Sequence, residues 1–85
     1  GEVERSVQRR GIAGTMVDNL IHGMPGEQAG LKVGDIITAV VGRPLESRDA
    51  LFRELAAYGP NEVVPLSVRR LRGTDVLVAD TTVKI

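Results

Sequence analysis

The stretch from residue 23 to residue 37 constrains this chain most, because it fixes a turn, a helical turn and a buried strand in that order. It reads Gly-Met-Pro-Gly-Glu-Gln-Ala-Gly-Leu-Lys-Val-Gly-Asp-Ile-Ile. Pro25 lacks an N–H and suits the first turn of a helix, and Gly30 can end that turn with a positive φ. The spacing predicts one helical turn over residues 26–29. A second glycine turn and a buried β-strand over residues 36–41 follow.

This run, continued by the next stretch, resembles a known protein family. Residues 39–45 read Ala-Val-Val-Gly-Arg-Pro-Leu. Together the two stretches are similar to the middle of a bacterial PDZ domain, most of all to the PDZ domains of HtrA/Deg-type serine proteases. The resemblance extends from about residue 12 to the C terminus. It departs at Val41, where relatives usually place Asn, and a β-branched residue is poorly suited to positive φ.

The resemblance and the order of elements imply one fold class. Strands with one real helix and one short helical turn make a small α+β domain in which the helix closes one side of the sheet. The expected architecture is a PDZ-like, partly open β-barrel or sandwich with one long and one short helix. At 85 residues, the whole chain (residues 1–85) is expected to be a single domain.

The second half of the chain carries the clearest helix signals. Ser47 is a natural N-cap, and apolar residues at helical spacing predict a helix over residues 48–58. Gly59 and Pro60 then end it, with the glycine in the left-handed region. The remaining pattern predicts further strands and a hairpin turn, over residues 15–21, 63–71 and 76–85, with the turn at 72–75. In the first ten residues, Val3 and Val7 fit either one stripe of a short helix or an extended segment.

Composition excludes several classes of partner. Eleven basic and eleven acidic residues give a formal net charge of zero, so no global field attracts nucleic acid or an anionic membrane. The chain has no cysteine, which excludes disulfides and thiolate metal sites. We also expect no signal peptide and no direct membrane insertion, because no apolar run approaches about 18 residues.

The resemblance implies a peptide-binding groove between the longer helix and an edge strand, which a partner chain enters as an added strand. By register, the groove-facing positions of the helix are Arg48, Phe52 and Leu55, and Leu51 points toward the core. The resemblance gives Arg48 the place where a His often reads Ser or Thr in the ligand, so we expect some tolerance of acidic ligands instead. The alternative for Phe52 and Leu55 is plain core packing.

The loop that holds the ligand's carboxylate is harder to place. Ile12, Ala13 and Gly14 lie in a small, glycine-bounded stretch of suitable character. Only eight residues separate Gly14 from Gly23, however, which is too few for the groove strand, its turn and the next strand. By register, residues 15–20 are then the strand after the groove strand. The stretch is then a simple turn, and the carboxylate loop lies upstream, near residues 1–4 or outside this chain. In that case peptide binding is weak or absent.

Catalytic, metal and cofactor sites are not predicted. His22 is the only histidine, and no spacing brings it to a serine, so a solvent-facing loop residue is the simpler interpretation. The aspartates are dispersed without metal-loop spacing, and the glycines form no nucleotide-binding fingerprint. The cluster Arg69, Arg70 and Arg72 could contact phosphate, but it reads more simply as a solvated strand end.

These observations favour a non-catalytic recognition domain that binds C-terminal or internal peptide segments of protein clients. The resemblance implies a place beside the protease domain of an envelope serine protease, in the bacterial periplasm, with a role in protein quality control. Two alternatives stay open: an interaction module of a bacterial scaffold or secretion apparatus, and a gating domain of an intramembrane or C-terminal processing protease. A trypsin-like domain upstream, or a row of transmembrane helices, would separate them.

Overall fold

The computed structural model, which describes residues 11–85, is built on one antiparallel sheet of six strands with two helices. This confirms the predicted α+β, PDZ-like open architecture with one longer and one shorter helix. In chain order the elements are β1 (Thr15–Met16), α1 (Pro25–Gln28), β2 (Ile36–Val40), β3 (Arg43–Pro44), α2 (Arg48–Leu55), β4 (Val63–Arg72), β5 (Asp75–Val78) and β6 (Thr81–Lys84).

The long strand β4 organises the sheet. One of its edges pairs with β2, and its other edge pairs with β6 near its start and with β5 near its end. The main path through the sheet is therefore β1-β2-β4-β5, with β3 beside β2 and β6 beside β4. Strands β1 and β5 consequently lie at opposite ends of this path.

The core forms where β2 and β4 face the helices. Alternate residues of β4 point inward, as the period of two in a strand requires. In β2, four of the five residues are buried, so this strand is covered on both faces. Leu51 of α2 is buried against this sheet, as predicted. The buried apolar residues are Leu31, Ile36, Ile37, Ala39, Val40, Leu45, Leu51, Val64, Leu66, Val68 and Val83.

Several element boundaries differ from the predicted ones. The strand predicted over residues 15–21 is only two residues long. The segment that leads into β2 turns away from it at Gly34, whose N–H makes the last bond between the two segments, to the Val17 carbonyl (2.7 Å). The predicted helix end at Tyr58 is also wrong. Helix α2 ends at Leu55, and the N–H groups of Ala57 and Tyr58 bond to carbonyls three residues back, as in a 3₁₀ turn.

The turns show which residues adopt left-handed backbone. Val41 (φ 49°) and Gly42 (φ 74°) form the two-residue turn between β2 and β3, so the sheet imposes a positive φ on a β-branched residue and ends β2 one residue early. After α2 the left-handed residue is Asn61 (φ 69°), and the prediction for Gly59 is wrong. The strand predicted over residues 76–85 is split into β5 and β6. At the break, Asp80 Oδ1 accepts a hydrogen bond from Val68 N (2.8 Å).

A buried ion pair ties the turn before β2 to β4. The carboxylate of Asp35, which is 1% exposed, accepts hydrogen bonds from Arg70 Nε (2.8 Å), Arg70 Nη2 (2.7 Å) and Lys32 N (2.9 Å). Burial would raise the pKa of Asp35, but the bonds from Arg70 and Lys32 outweigh it and lower the pKa below its usual value. The Val17 N–H donates to the Asp35 carbonyl (2.8 Å), so the same residue anchors β1.

No helix in residues 11–85 is long and apolar enough to cross a membrane.

Candidate functional site

Two adjoining cavities lie along the face where α2 runs beside β1. One, of about 540 Å³, lies at the start of α2, and the other, of about 370 Å³, follows the helix toward its end. Both are lined by Thr15, Met16, Asp18 and Arg48, so they form one continuous slot, which we call the groove.

Helix α2 forms the first wall of the groove. Its N-cap is the predicted Ser47, whose Oγ accepts a hydrogen bond from Ala50 N (3.1 Å). Positions i, i+4 and i+7 share a helical face, and Arg48, Phe52 and Leu55 all line the groove. Phe52 is 55% exposed, so core packing does not account for it, whereas Leu55 lines the groove and also packs against the core.

Strand β1 and the residues after it form the second wall. Val17 directs both its N–H and its carbonyl toward the β2 side, where they bond to Asp35 and Gly34. Because backbone groups alternate along a strand, Met16 and Asp18 direct theirs toward the groove. No residue of the described chain pairs with them there, so one edge of β1 is open beside the helix.

One ion pair crosses the groove. Arg48 Nη1 lies 3.4 Å from Asp18 Oδ2, and both side chains are exposed. The Arg48 guanidinium also stands 5.6 Å from the centroid of the Phe52 ring. An exposed pair of this length is weak, about 0 to 1 kcal/mol, so a ligand can displace it. Sequence reasoning missed Asp18, because nothing in the sequence pairs it with a residue thirty positions away.

The predicted residues Ile12, Ala13 and Gly14 line the wider cavity at the N-terminal end of α2. Gly14 also has a packing role there. A Cβ at this position would lie 2.5 Å from the Ile37 carbonyl oxygen and 2.9 Å from Ile36 Cγ2, so only glycine lets the chain pass this close to β2. Three expectations fall on residues 1–10, outside the described residues: the short helix or extended segment, a groove strand before residue 15, and the alternative carboxylate loop near residues 1–4.

The other polar candidates do not assemble into a site. The His22 side chain is 98% exposed, and its polar partner among the described residues is Glu27, with Nδ1 3.0 Å from Oε1. Two members of the arginine cluster are ion-paired, Arg69 with Asp80 and Arg70 with Asp35, which fits the structural interpretation better than a phosphate site. Between residues 11 and 85, no three acidic, histidine or cysteine side chains are grouped to hold a metal ion.

Comparison with known proteins agrees with this geometry. The profile of the PDZ domain matches residues 16–70. A probable periplasmic serine endoprotease DegP-like of Rhizobium meliloti (strain 1021) is 40% identical over 48 residues, which are 56% of this chain and 10% of that protein. The crystal structure of the HtrA3 PDZ domain bound to a phage-derived ligand (FGRWV) superposes with a TM-score of 0.65 at 24% identity, covering 98% of this chain and 72% of that one.

These matches confirm the predicted resemblance. The chain spans about a tenth of the length of the curated relative it matches, and the likeness to the solved structure supports the fold alone.

Proposed function

The chain belongs to the PDZ domain family, whose members are non-catalytic modules, and from this premise we propose that the groove binds a peptide as an added strand on the open edge of β1. The observation that carries the proposal is the pairing of two features. The backbone groups of Met16 and Asp18 have no partner in the described structure, and an apolar helix face runs alongside them. Backbone bonds would supply affinity, and the helix face would select side chains.

The ligand's terminal apolar side chain is assigned to the cavity beside Phe52 and Leu55. That cavity is apolar at its base, where Leu31, Leu51 and Val83 line it. The ligand residues that precede the terminal one are assigned to the wider cavity beside Ile12, Ala13 and Gly14, because that cavity adjoins the first one beyond Arg48, at the N-terminal end of α2.

The curated relative supports a proposal for the cellular role. The curated relative is a probable periplasmic serine endoprotease, so we assign this chain to the cell envelope, as the regulatory or substrate-recruiting module of such an enzyme. Its partners would be C-terminal or internal segments of client proteins and the parent protease domain. The chain itself would cleave no peptide bond, since the partner of His22 in residues 11–85 is Glu27 and not a serine.

The test is an NMR titration with the peptide FGRWV, once with a free C-terminal carboxylate and once amidated. We expect the free acid to shift the amides of Met16, Asp18 and α2, and the amidated peptide to bind more weakly. Phe52→Ala should weaken binding at least about tenfold, since aromatic anchors in grooves carry much of the affinity. Val63→Ala is the matched control, because Val63 is 59% exposed and does not line the groove.

Shifts confined to the hairpin at residues 69–72 would contradict the groove. Equal losses of affinity in Phe52→Ala and Val63→Ala would also contradict it. Casein cleavage by the chain alone, abolished by one substitution within it, would contradict the non-catalytic role.

A further inference from the structure

The end of the sheet opposite the groove exposes an apolar strand. Val76, Leu77 and Val78 of β5 are 40%, 38% and 69% exposed, and both faces of the strand are open. Strand β5 pairs only with β4 in the described sheet, so no strand of residues 11–85 occupies its outer edge. Most exposed edges carry a charge, a proline or a bulge that blocks pairing. The only charge on this edge is Asp75, at its first residue, and Val76, Leu77 and Val78 carry none.

The hairpin geometry fixes which backbone groups point outward. The two-residue turn at Gly73 (φ 60°) and Thr74 closes on the pair Arg72 and Asp75. In such a hairpin the closing pair exchanges hydrogen bonds, and every second pair repeats them. The bond from Ala79 N to the Val68 carbonyl (2.9 Å) continues this alternation of hydrogen-bonded pairs. Asp75 and Leu77 therefore bond inward, and the N–H and carbonyl groups of Val76 and Val78 face outward.

This edge is complementary to itself in one register. If two copies meet antiparallel with Leu77 opposite Leu77, Val76 of each copy lies opposite Val78 of the other. Those residues carry the outward groups, so four backbone hydrogen bonds form. Apolar side chains then meet on both faces, and Asp75 faces Ala79, so no like charges are opposed.

We propose that β5 pairs with β5 of a second copy of this chain, across a two-fold axis between the two Leu77 residues. The contact is isologous and closed, so it yields a dimer and not a fibre. It joins the two sheets into one and leaves both grooves open at the far ends. Since each edge is only four residues long, the buried area falls below that of a stable dimer, and the association is weak.

Disulfide trapping tests the register, because the natural chain has no cysteine. In Leu77→Cys the two sulfurs meet in a non-hydrogen-bonded pair, with Cα atoms about 4.5 Å apart, within disulfide range. In Val76→Cys the equivalent residues are offset by two positions, beyond the limit of about 7 Å. A glutathione buffer should give covalent dimers of Leu77→Cys, at least about tenfold more than of Val76→Cys or of the distant exposed control Val33→Cys.

Sedimentation equilibrium at protein concentrations up to about 1 mM tests the free chain. The average mass of the wild type should rise toward twice that of the monomer. Leu77→Lys should stay monomeric, because two ammonium groups would face each other across the axis, and Val33→Lys should still associate. Four results would overturn the proposal: a wild type that stays monomeric throughout, association that survives in Leu77→Lys, equal trapping of Val76→Cys, or FGRWV shifting β5 amides.

Discussion

The two ends of the sheet differ in what lies beside them. The open edge of β1 runs next to α2, so a strand entering there meets backbone groups on one side and Phe52 and Leu55 on the other. The edge of β5 has no second wall, since all four of its residues are exposed. The comparison separates two uses of an unpaired strand.

An edge with a wall can select a partner by its side chains, because alternate residues of the added strand point into the wall. An edge without a wall contacts only the backbone and the nearest side chains of an added strand. The partner that complements such an edge best is a second copy of the same strand. If this distinction is correct, changes near β1 should alter peptide binding, and changes near β5 should alter self-association.

The largest effect is expected at Asp35, which anchors β1. Asp35→Asn should lower the free energy of unfolding by about 2 to 3 kcal/mol, since it weakens a buried ion pair whose partner Arg70 is still 30% exposed. Hydrogen exchange should rise more at Val17, whose N–H bonds to the Asp35 carbonyl, than at Leu77. Equal increases at both edges would show that the anchor is not local to β1.

The same pair sets a pH dependence of stability. The pKa of Asp35 is lower in the folded than in the unfolded chain, so the charged carboxylate stabilises the fold above the unfolded pKa of about 3.9. That contribution is lost as the pH falls through the lower, folded pKa. Urea unfolding should therefore show a constant gap between wild type and Asp35→Asn from pH 7 to about pH 5, closing below about pH 4. A gap that persisted at low pH would contradict this assignment.

Two glycines give the next contrast, one near each edge. Gly14→Ala should cost about 2 kcal/mol and weaken peptide binding, because its Cβ would press on the backbone of β2. Gly73→Ala should cost about 1 kcal/mol, from positive φ alone, because its Cβ would meet no atom within 4 Å. It should weaken self-association and leave peptide binding unchanged. Urea unfolding, FGRWV titration and sedimentation on both variants check the pattern, and a reversed pattern would break the comparison.

Features of the fold and of the groove were predictable from the sequence where the residues involved lie close together along the chain. The N-cap at Ser47 and a helical turn beside Pro25 rest on local spacing, and both are present, although the turn spans Pro25–Gln28 and not residues 26–29. Helical spacing also puts Arg48 and Phe52 on one face, and both line the groove, but their part in peptide binding stays a prediction. The length of β1 was not predictable, because it is set where its neighbour turns away at Gly34. The pairs that join distant segments, such as Arg70 with Asp35, leave no local pattern, and neither does the exposure of β5.

Val41 allows a change in stability that touches neither edge. A β-branched residue at φ 49° is strained, and Asn at the first position of this two-residue turn is favoured, so Val41→Asn should stabilise the fold by about 1 kcal/mol. The dissociation constants for FGRWV and for self-association should not move. If either dissociation constant changed by more than about twofold, that binding event would depend on the global stability of the domain and not only on the strand edge where it takes place.

The smallest effect on stability, with the most specific effect on binding, is expected at Asp18. The pair with Arg48 is exposed, so Asp18→Asn should change the unfolding free energy by less than about 0.5 kcal/mol. It leaves Arg48 without an acidic partner at the groove.

In an added strand, the third residue from the C terminus shares a face with the last one, so its side chain also points at α2. A peptide with Glu there, FGEWV, should bind Asp18→Asn about two- to fivefold more tightly than it binds the wild type, while the affinity for FGRWV should not rise. Arg48→Gln in the same background should remove the gain, because the gain requires the guanidinium. A gain that remained without Arg48 would mean that Asp18 acts only by repelling acidic ligands.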